Sequence, residues 1–206
     1  MMNVREEALV WVRLGSLLAI WVALLYLSRI GLAINWNSLK QLPAAVTAYV
    51  ILSYASSKWL WRLPILQGWL VPFPDLQGIW QGEIKSTWTD PKAHQALHPI
   101  SAILVIRQDF FSISCAMHTK ESDSYSAAAL ISVDDESGRL RLSFNYTNKP
   151  KVMARDRMAI HYGAAILQIG DGPTRMLQGE YWTSRRTTGE ILLKFRSRTL
   201  FPNPLD

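Results

Sequence analysis

Residues 140–148 read LRLSFNYTN, and this stretch indicates the fold of the larger part of the chain. Its apolar and aromatic residues occupy every second position, namely Leu140, Leu142, Phe144 and Tyr146. Successive side chains of a β-strand point to opposite faces, so this alternation predicts a strand with one buried and one wetter face. Residues 100–106 and 191–195 repeat the pattern. The region therefore favours an antiparallel sheet.

Eight such runs follow one another between turn-forming residues. We place them near 79–88, 98–107, 111–120, 124–133, 139–148, 160–169, 176–185 and 188–197. The connections are short, as in DDESG at 134–138, and short links join neighbouring antiparallel strands. Closure removes exposed strand edges, so we predict an eight-stranded up-and-down β-barrel, with a β-sandwich as the alternative. A barrel of this size can hold one small ligand.

The N-terminal third has a different composition, dominated by Leu, Ile, Val, Ala and Trp. We predict a transmembrane hairpin over 1–70, with helices at about 9–27 and 43–61, and a cleaved signal peptide as the disfavoured alternative. Residues 71–78 are then a linker, 79–200 the ligand-binding barrel and 201–206 a tail. The basic residues near the spans predict a multi-pass protein of the bacterial inner membrane with its β-domain in the cytoplasm.

The net charge of +6 is uneven along the chain. Residues 1–70 carry 6 basic and 2 acidic residues, a net of +4, whereas residues 71–206 carry 16 and 14. A domain that binds a nucleic acid polymer concentrates its basic excess on its own surface, so we expect no such partner. Cys115 is the sole cysteine, which excludes an internal disulfide bond.

The sequence contains no nucleophile elbow, P-loop, dinucleotide-binding fingerprint or zinc-protease motif. His94 and His98 are four residues apart, but Pro99 and a strand-like context weaken a metal site there. We therefore expect a protein that is not an enzyme and that uses no catalytic residue, metal or cofactor.

Polar and aromatic residues instead suggest a ligand site. Tyr181, Thr183 and Arg185 share one face of a strand, and a ring, a hydroxyl and a guanidinium in line suit a ligand with a flat base and a phosphate. Similar groups recur in other runs. The predicted ligand-binding residues are Trp80, Trp88, Arg107, Thr119, Ser124, Tyr146, Asn148, Tyr162, Tyr181, Thr183 and Arg185.

Several of these segments together resemble a known family. They are GIWQGEIKSTW at 78–88, SFNYTN at 143–148, HYGAAIL at 161–167 and GEYWTSRRTTGEI at 179–191. The chain resembles the two-transmembrane, β-strand-rich effectors of bacterial CBASS anti-phage systems, which accompany CD-NTase (SMODS) nucleotidyltransferases. The most specific part of this resemblance is the pattern G-x-Y-x-T-x-R-x-T-G. The chain departs from the pattern by one extra residue, Thr188, before Gly189.

The resemblance implies a barrel that binds a cyclic dinucleotide made by a partner CD-NTase during infection. It further implies that binding promotes homo-oligomerisation beside membrane lipid and disrupts the inner membrane, so that the infected cell dies. Two alternatives remain open. A membrane-anchored carrier of a lipid or other apolar ligand predicts an apolar lumen with Arg107 and Arg185 facing outward. A structural scaffold predicts a lumen filled by side chains.

Overall fold

A computed structural model describes residues 6–29, 35–67, 71–88, 98–170 and 175–200. The chain divides into two compact units, Met1–Gln67 and Gly68–Asp206. The first unit is helical and the second is made of strands.

The helical unit contains α1 (Glu6–Leu27), the short α2 (Trp36–Leu39) and α3 (Leu42–Lys58), followed by two short 3₁₀ turns. Asn35 caps α2, because its side chain accepts from the Ser38 N–H at 3.0 Å while the Ser38 hydroxyl accepts from the Asn35 N–H at 2.9 Å. The indole N–H of Trp21 donates to the Ser38 carbonyl at 3.0 Å and ties α1 to this turn.

The predicted transmembrane helices at about 9–27 and 43–61 are wrong. Among the described residues, no helix combines the length and the apolar character needed to cross a membrane. In α1 the longest stretch without a charge is 14–27, after Arg13, and it is shorter than the ~20 apolar residues that a span requires. α3 has 17 residues, includes several hydroxyl side chains and ends on Lys58. The predicted multi-pass location in the inner membrane is overturned with them.

The second unit is a closed barrel of eight antiparallel strands in sequence order, so the barrel prediction is confirmed and the sandwich alternative is not. The strands are β1 (Gly78–Ser86), β2 (Ile100–Gln108), β3 (Ile113–Thr119), β4 (Ser122–Val133), β5 (Leu140–Pro150), β6 (His161–Ile169), β7 (Met176–Thr183) and β8 (Thr188–Ser197). We call the end with the β1–β2, β3–β4, β5–β6 and β7–β8 connections the upper rim, and the opposite end the lower rim.

Apolar side chains fill the middle of the barrel. Leu104, Leu142, Leu167, Leu177 and Leu193 are fully buried there, each from a different strand. Each lies on the face of its strand that carries the apolar residues at every second position, as the sequence pattern predicted. The middle of the lumen is therefore a packed core, which leaves the two ends for a ligand.

The lower rim is closed by stacked side chains. Trp80 packs edge to face on Phe195 with ring centroids 5.3 Å apart, and its indole N–H donates to the Leu76 carbonyl at 2.9 Å. The guanidinium of Arg175 lies 4.1 Å from the Phe195 ring centroid and 5.3 Å from that of Trp80. These stacked groups therefore occupy the lower end of the lumen.

Candidate functional site

Two tyrosines face into the lumen just above the apolar core, and each lies over a glycine of the next strand. Tyr146 on β5 is paired with Gly163 on β6, and Tyr181 on β7 with Gly189 on β8. A Cβ at Gly163 would lie 2.5 Å from the hydroxyl oxygen of Tyr146, and a Cβ at Gly189 would lie 2.6 Å from Cε1 of Tyr181. The missing side chains are thus what allow both rings to lie against the barrel wall.

The two tyrosines are also close to one another. Burial raises the pKa of the Tyr146 hydroxyl to about 12, and Tyr181 adds to the rise because two phenolates would repel. The Tyr146 hydroxyl therefore stays protonated at neutral pH and can donate a hydrogen bond.

A buried polar cluster stands beside the tyrosines on β4 and β5. The side-chain amide of Asn148 donates to the hydroxyls of Ser122 and Ser124, each at 2.9 Å. All three residues are less than a tenth exposed. The amide oxygen of Asn148 is buried and has no hydrogen-bond partner in the described part of the chain. A buried acceptor without a donor costs about 1–3 kcal/mol, so this oxygen suits a donor on a bound molecule.

Two predicted threonines form the turns at the upper rim. The hydroxyl of Thr119 donates to the Ser122 carbonyl at 3.0 Å and thereby holds the β3–β4 hairpin. The hydroxyl of Thr183 donates to that of Thr187 at 3.2 Å and accepts from the Arg185 N–H at 3.2 Å. Both hydroxyls thus have a structural use within their hairpins.

The β7–β8 turn carries two exposed arginines. The N–H of Arg186 donates to the Thr183 carbonyl at 3.0 Å, and Arg186 has a φ of 61°. A turn closed in this way and followed by a left-handed residue forms a three-residue hairpin loop. Arg185 and Arg186 therefore stand at the edge of the upper rim, outside the lumen, where a guanidinium can meet an anion.

The structure thus places eight of the predicted residues at the upper rim. Six of them lie on strands, namely Thr119, Ser124, Tyr146, Asn148, Tyr181 and Thr183. Arg185 lies in the adjoining β7–β8 turn, and Trp88 follows the end of β1. The other three do not face the lumen at this rim. Trp80 belongs to the plug of the lower rim, Arg107 faces outward near the lower end of β2, and Tyr162 is exposed on the outer face of β6.

The set of predicted ligand-binding residues does not include four residues of this region. Ser122 belongs to the Asn148 cluster, His161 pairs with Asn148 across β5 and β6, and Gly163 and Gly189 accommodate the two rings. The alternation Gly163, Ala165, Leu167 would have placed His161, rather than Tyr162, on the inner face. Small residues on both faces of β6 obscured that signal.

The upper rim therefore offers three kinds of group. Two aromatic rings can stack on flat bases, an amide and several hydroxyls can bind polar ring edges or sugars, and the turn arginines can bind phosphate. These groups suit binding of a nucleotide-like molecule.

Comparison with known proteins agrees with this reading. Residues 71–195 match the family described as the Cap15 cyclic dinucleotide receptor domain. CD-NTase-associated protein 15 of Escherichia albertii is 26% identical over 174 residues, which cover 84% of each chain. CD-NTase-associated protein 15 of Staphylococcus schleiferi is 23% identical over 161 residues, which cover 78% of this chain and 81% of the relative.

These matches confirm the coarser part of the predicted resemblance, a CBASS effector whose β-barrel is a cyclic dinucleotide receptor domain. The SMODS association and the particular ligand contacts stay predictions. Because the matched segment includes residues of all eight strands and covers more than half of the chain, the protein belongs to the Cap15 family of cyclic dinucleotide receptors.

Proposed function

We propose that the upper rim of the barrel binds a cyclic dinucleotide made by a partner CD-NTase, and that the chain thereby acts as an anti-phage effector. The observation that carries this proposal is the pair of inward tyrosines beside the buried Asn148 cluster. It is the one place in the described lumen where aromatic rings, buried hydroxyls and an unsatisfied amide oxygen meet.

Each part of the ligand has a matching group. The rings of Tyr146 and Tyr181 stack on the bases, and the Asn148 amide oxygen accepts from a base N–H. The imidazole of His161 lies on the inner face next to Asn148 and reaches the sugar or phosphate from the β6 side. Arg185, at the rim, donates two parallel hydrogen bonds to two oxygen atoms of a phosphate.

A second candidate function has one observation in its favour. Arg107 and Arg185 both lie outside the lumen, which is what a carrier of an apolar ligand predicts. Such a carrier would bind a fatty acid and would ignore cyclic dinucleotides. The same assay therefore separates the two functions.

The test is calorimetric titration of the full chain with a panel of cyclic di- and trinucleotides, with a linear dinucleotide and a fatty acid as comparisons. Tyr181→Leu removes a stacking ring and should weaken binding of the best ligand by roughly tenfold to hundredfold. Tyr181→Phe keeps the ring and should bind within a few fold of the parent. Trp182→Leu, on the outer face of the same strand, is the matched control and should leave binding unchanged. The proposal fails if no cyclic nucleotide binds, or if Tyr181→Leu and Trp182→Leu have equal effects.

Arg185→Ala should weaken binding while the melting temperature of the ligand-free protein stays nearly the same, because the side chain is exposed. A large loss of ligand-free stability would instead assign Arg185 a structural role in its turn.

The proposed output is self-association. A ligand drives assembly only if it binds the assembled state better than the free one, so ligand should raise the sedimentation coefficient in proportion to occupancy. The membrane-disruption step implied by the resemblance depended on spanning helices and is not part of the proposal. Loss of phage protection in cells that carry Tyr181→Leu would link binding to defence.

A further inference from the structure

The oxygen that the proposed function assigns to a ligand is covered. The amide oxygen of Asn148 has almost no surface open to solvent, and no donor reaches it from the part of the chain that the structure describes. Asn148 is 8% exposed, whereas Tyr146, Tyr181 and His161, which also face the lumen, each keep part of their surface open. A ligand can therefore lie against the rings, but some group has to move before a donor of the ligand reaches Asn148.

The β5–β6 loop, residues 151–160, is the segment placed above this oxygen. Pro150, the last residue of β5, is buried on the same face as Asn148 and lies one step nearer the upper rim. Within the loop, Ala154 is 2% exposed and Met153 beside it is 92% exposed. The loop thus turns Ala154 toward the barrel, and its inner side is placed to cover the Asn148 cluster.

The loop is a compact unit with its own hydrogen bonds. The N–H of Ala154 donates to the Lys151 carbonyl at 2.9 Å, and the N–H of Met158 donates to the Ala154 carbonyl at 3.0 Å. Donor and acceptor of each bond lie within the loop, so these bonds survive when the loop moves as a whole. Such a segment can open locally while the barrel stays folded.

Two side chains hold the loop on the β3–β4 turn, and we call their contacts the latch. The ammonium of Lys151 donates to the Thr119 carbonyl at 2.9 Å. The guanidinium of Arg157 forms an ion pair with the Glu121 carboxylate, and these two side chains are 65% and 46% exposed. An exposed ion pair contributes little to stability, so this part of the latch opens at small cost.

We propose that the β5–β6 loop is a lid, which keeps a cyclic dinucleotide from the Asn148 cluster until it lifts from the β3–β4 turn. The bound ligand then takes the place of the inner side of the lid. This inference rests on the proposed function, because it concerns how the same ligand reaches Asn148. A ligand that binds only the open form has its apparent affinity reduced by the fraction of open protein. The latch therefore raises the ligand concentration at which the site fills.

The first test breaks the ion pair of the latch from either side. Arg157→Gln removes a positive charge from the rim, and Glu121→Gln removes a negative one. Both variants should bind the cyclic dinucleotide that the parent binds best about two- to fivefold more tightly, through faster association, which is the size that loss of one exposed ion pair allows. Arg155→Gln is the matched control, because Arg155 donates to the Pro150 carbonyl rather than to the β3–β4 turn, and it should not tighten binding.

The two charge changes separate a lid from simple attraction. Attraction between the rim and a doubly charged ligand predicts weaker binding for Arg157→Gln and tighter binding for Glu121→Gln. A direct contact between Arg157 and a phosphate predicts weaker binding for Arg157→Gln as well. Effects of opposite sign would therefore overturn the lid, and so would unchanged binding in both variants.

Hydrogen exchange of the full chain without ligand tests the lid apart from the nucleotide site. The N–H of Lys151 donates to the Glu121 carbonyl at 2.8 Å, so exchange of this amide requires the loop to leave the β3–β4 turn. Glu121→Gln and Arg157→Gln should each speed this exchange about two- to fivefold, and Arg155→Gln should not. Unchanged exchange in both latch variants defeats the lid, whereas failure of every variant to bind a cyclic nucleotide defeats the proposed function.

Discussion

The contact between Gly163 and Tyr146 can be tested by adding a single methyl group. In Gly163→Ala the new Cβ would lie 2.5 Å from both Cζ and the hydroxyl oxygen of Tyr146, and 2.8 Å from the Trp182 carbonyl oxygen. Ordinary contacts of a Cβ begin near 3.4 Å, so the end of the ring has to move by about 1 Å. The ring can tilt, whereas the carbonyl belongs to the paired backbone of β7.

Overpacking of this kind costs about 1–3 kcal/mol, and we expect about 2 kcal/mol for Gly163→Ala. For a barrel of this size that loss lowers the melting temperature by about 7 °C. Gly170→Ala is the matched control, because its nearest contact would be an ordinary 3.4 Å, and its effect should be within about 0.5 kcal/mol.

Thermal unfolding followed by circular dichroism measures both values, and a double-mutant cycle isolates the ring. In a Tyr146→Leu background the alanine should cost clearly less than in the parent, since the contacts with the far end of the ring are gone and only the 2.8 Å contact with the Trp182 carbonyl oxygen remains. If Gly163→Ala costs the same in both backgrounds, or nothing in either, the glycine does not make room for the ring and the reasoning is refuted.

Three further predictions concern the rest of the barrel. Arg186→Gly should stabilise the fold by about 0.5–1 kcal/mol because Arg186 has a φ of 61°, whereas Arg185→Gly should not; equal melting curves would contradict this. Burial raises the pKa of the Cys115 thiol to about 12, so at pH 8 iodoacetamide should label it only after denaturant is added, and rapid native labelling would show the thiol to be accessible. Arg175→Ala should lower the free energy of unfolding in urea by about 1–2 kcal/mol through loss of its stacking on two rings, and Arg175→Lys should restore only part of it.

Local alternation determined most of the barrel. The apolar positions of β5 and β8 were evident from their spacing, and short connections implied neighbouring antiparallel strands. Tyr181 faces inward because it shares a face of β7 with Leu177 and Gly179, at every second position. The same alternation places Arg107 on the face of β2 opposite to that of Leu104 and Ile106, and the structure has it there.

The apolar composition of the N-terminal third led to the wrong prediction of two transmembrane helices. A run of apolar residues looks alike in a buried helix and in a spanning one, and the described helices are too short or too polar to span. The bounds of a helix, and the charges that fall inside them, decide between the two.

Only the tertiary structure decided which residues meet. The Asn148 cluster depends on the register between β4 and β5, and the room for Tyr146 depends on Gly163 being its partner on β6. The sequence of a strand shows which of its residues share a face. The neighbouring strand, the register of the pairing and the rim of the barrel at which a residue lies are set by long-range packing. For the same reason the β-bulge between Ser126 and Ala128 in the β4–β5 ladder leaves no local pattern by which it could have been predicted.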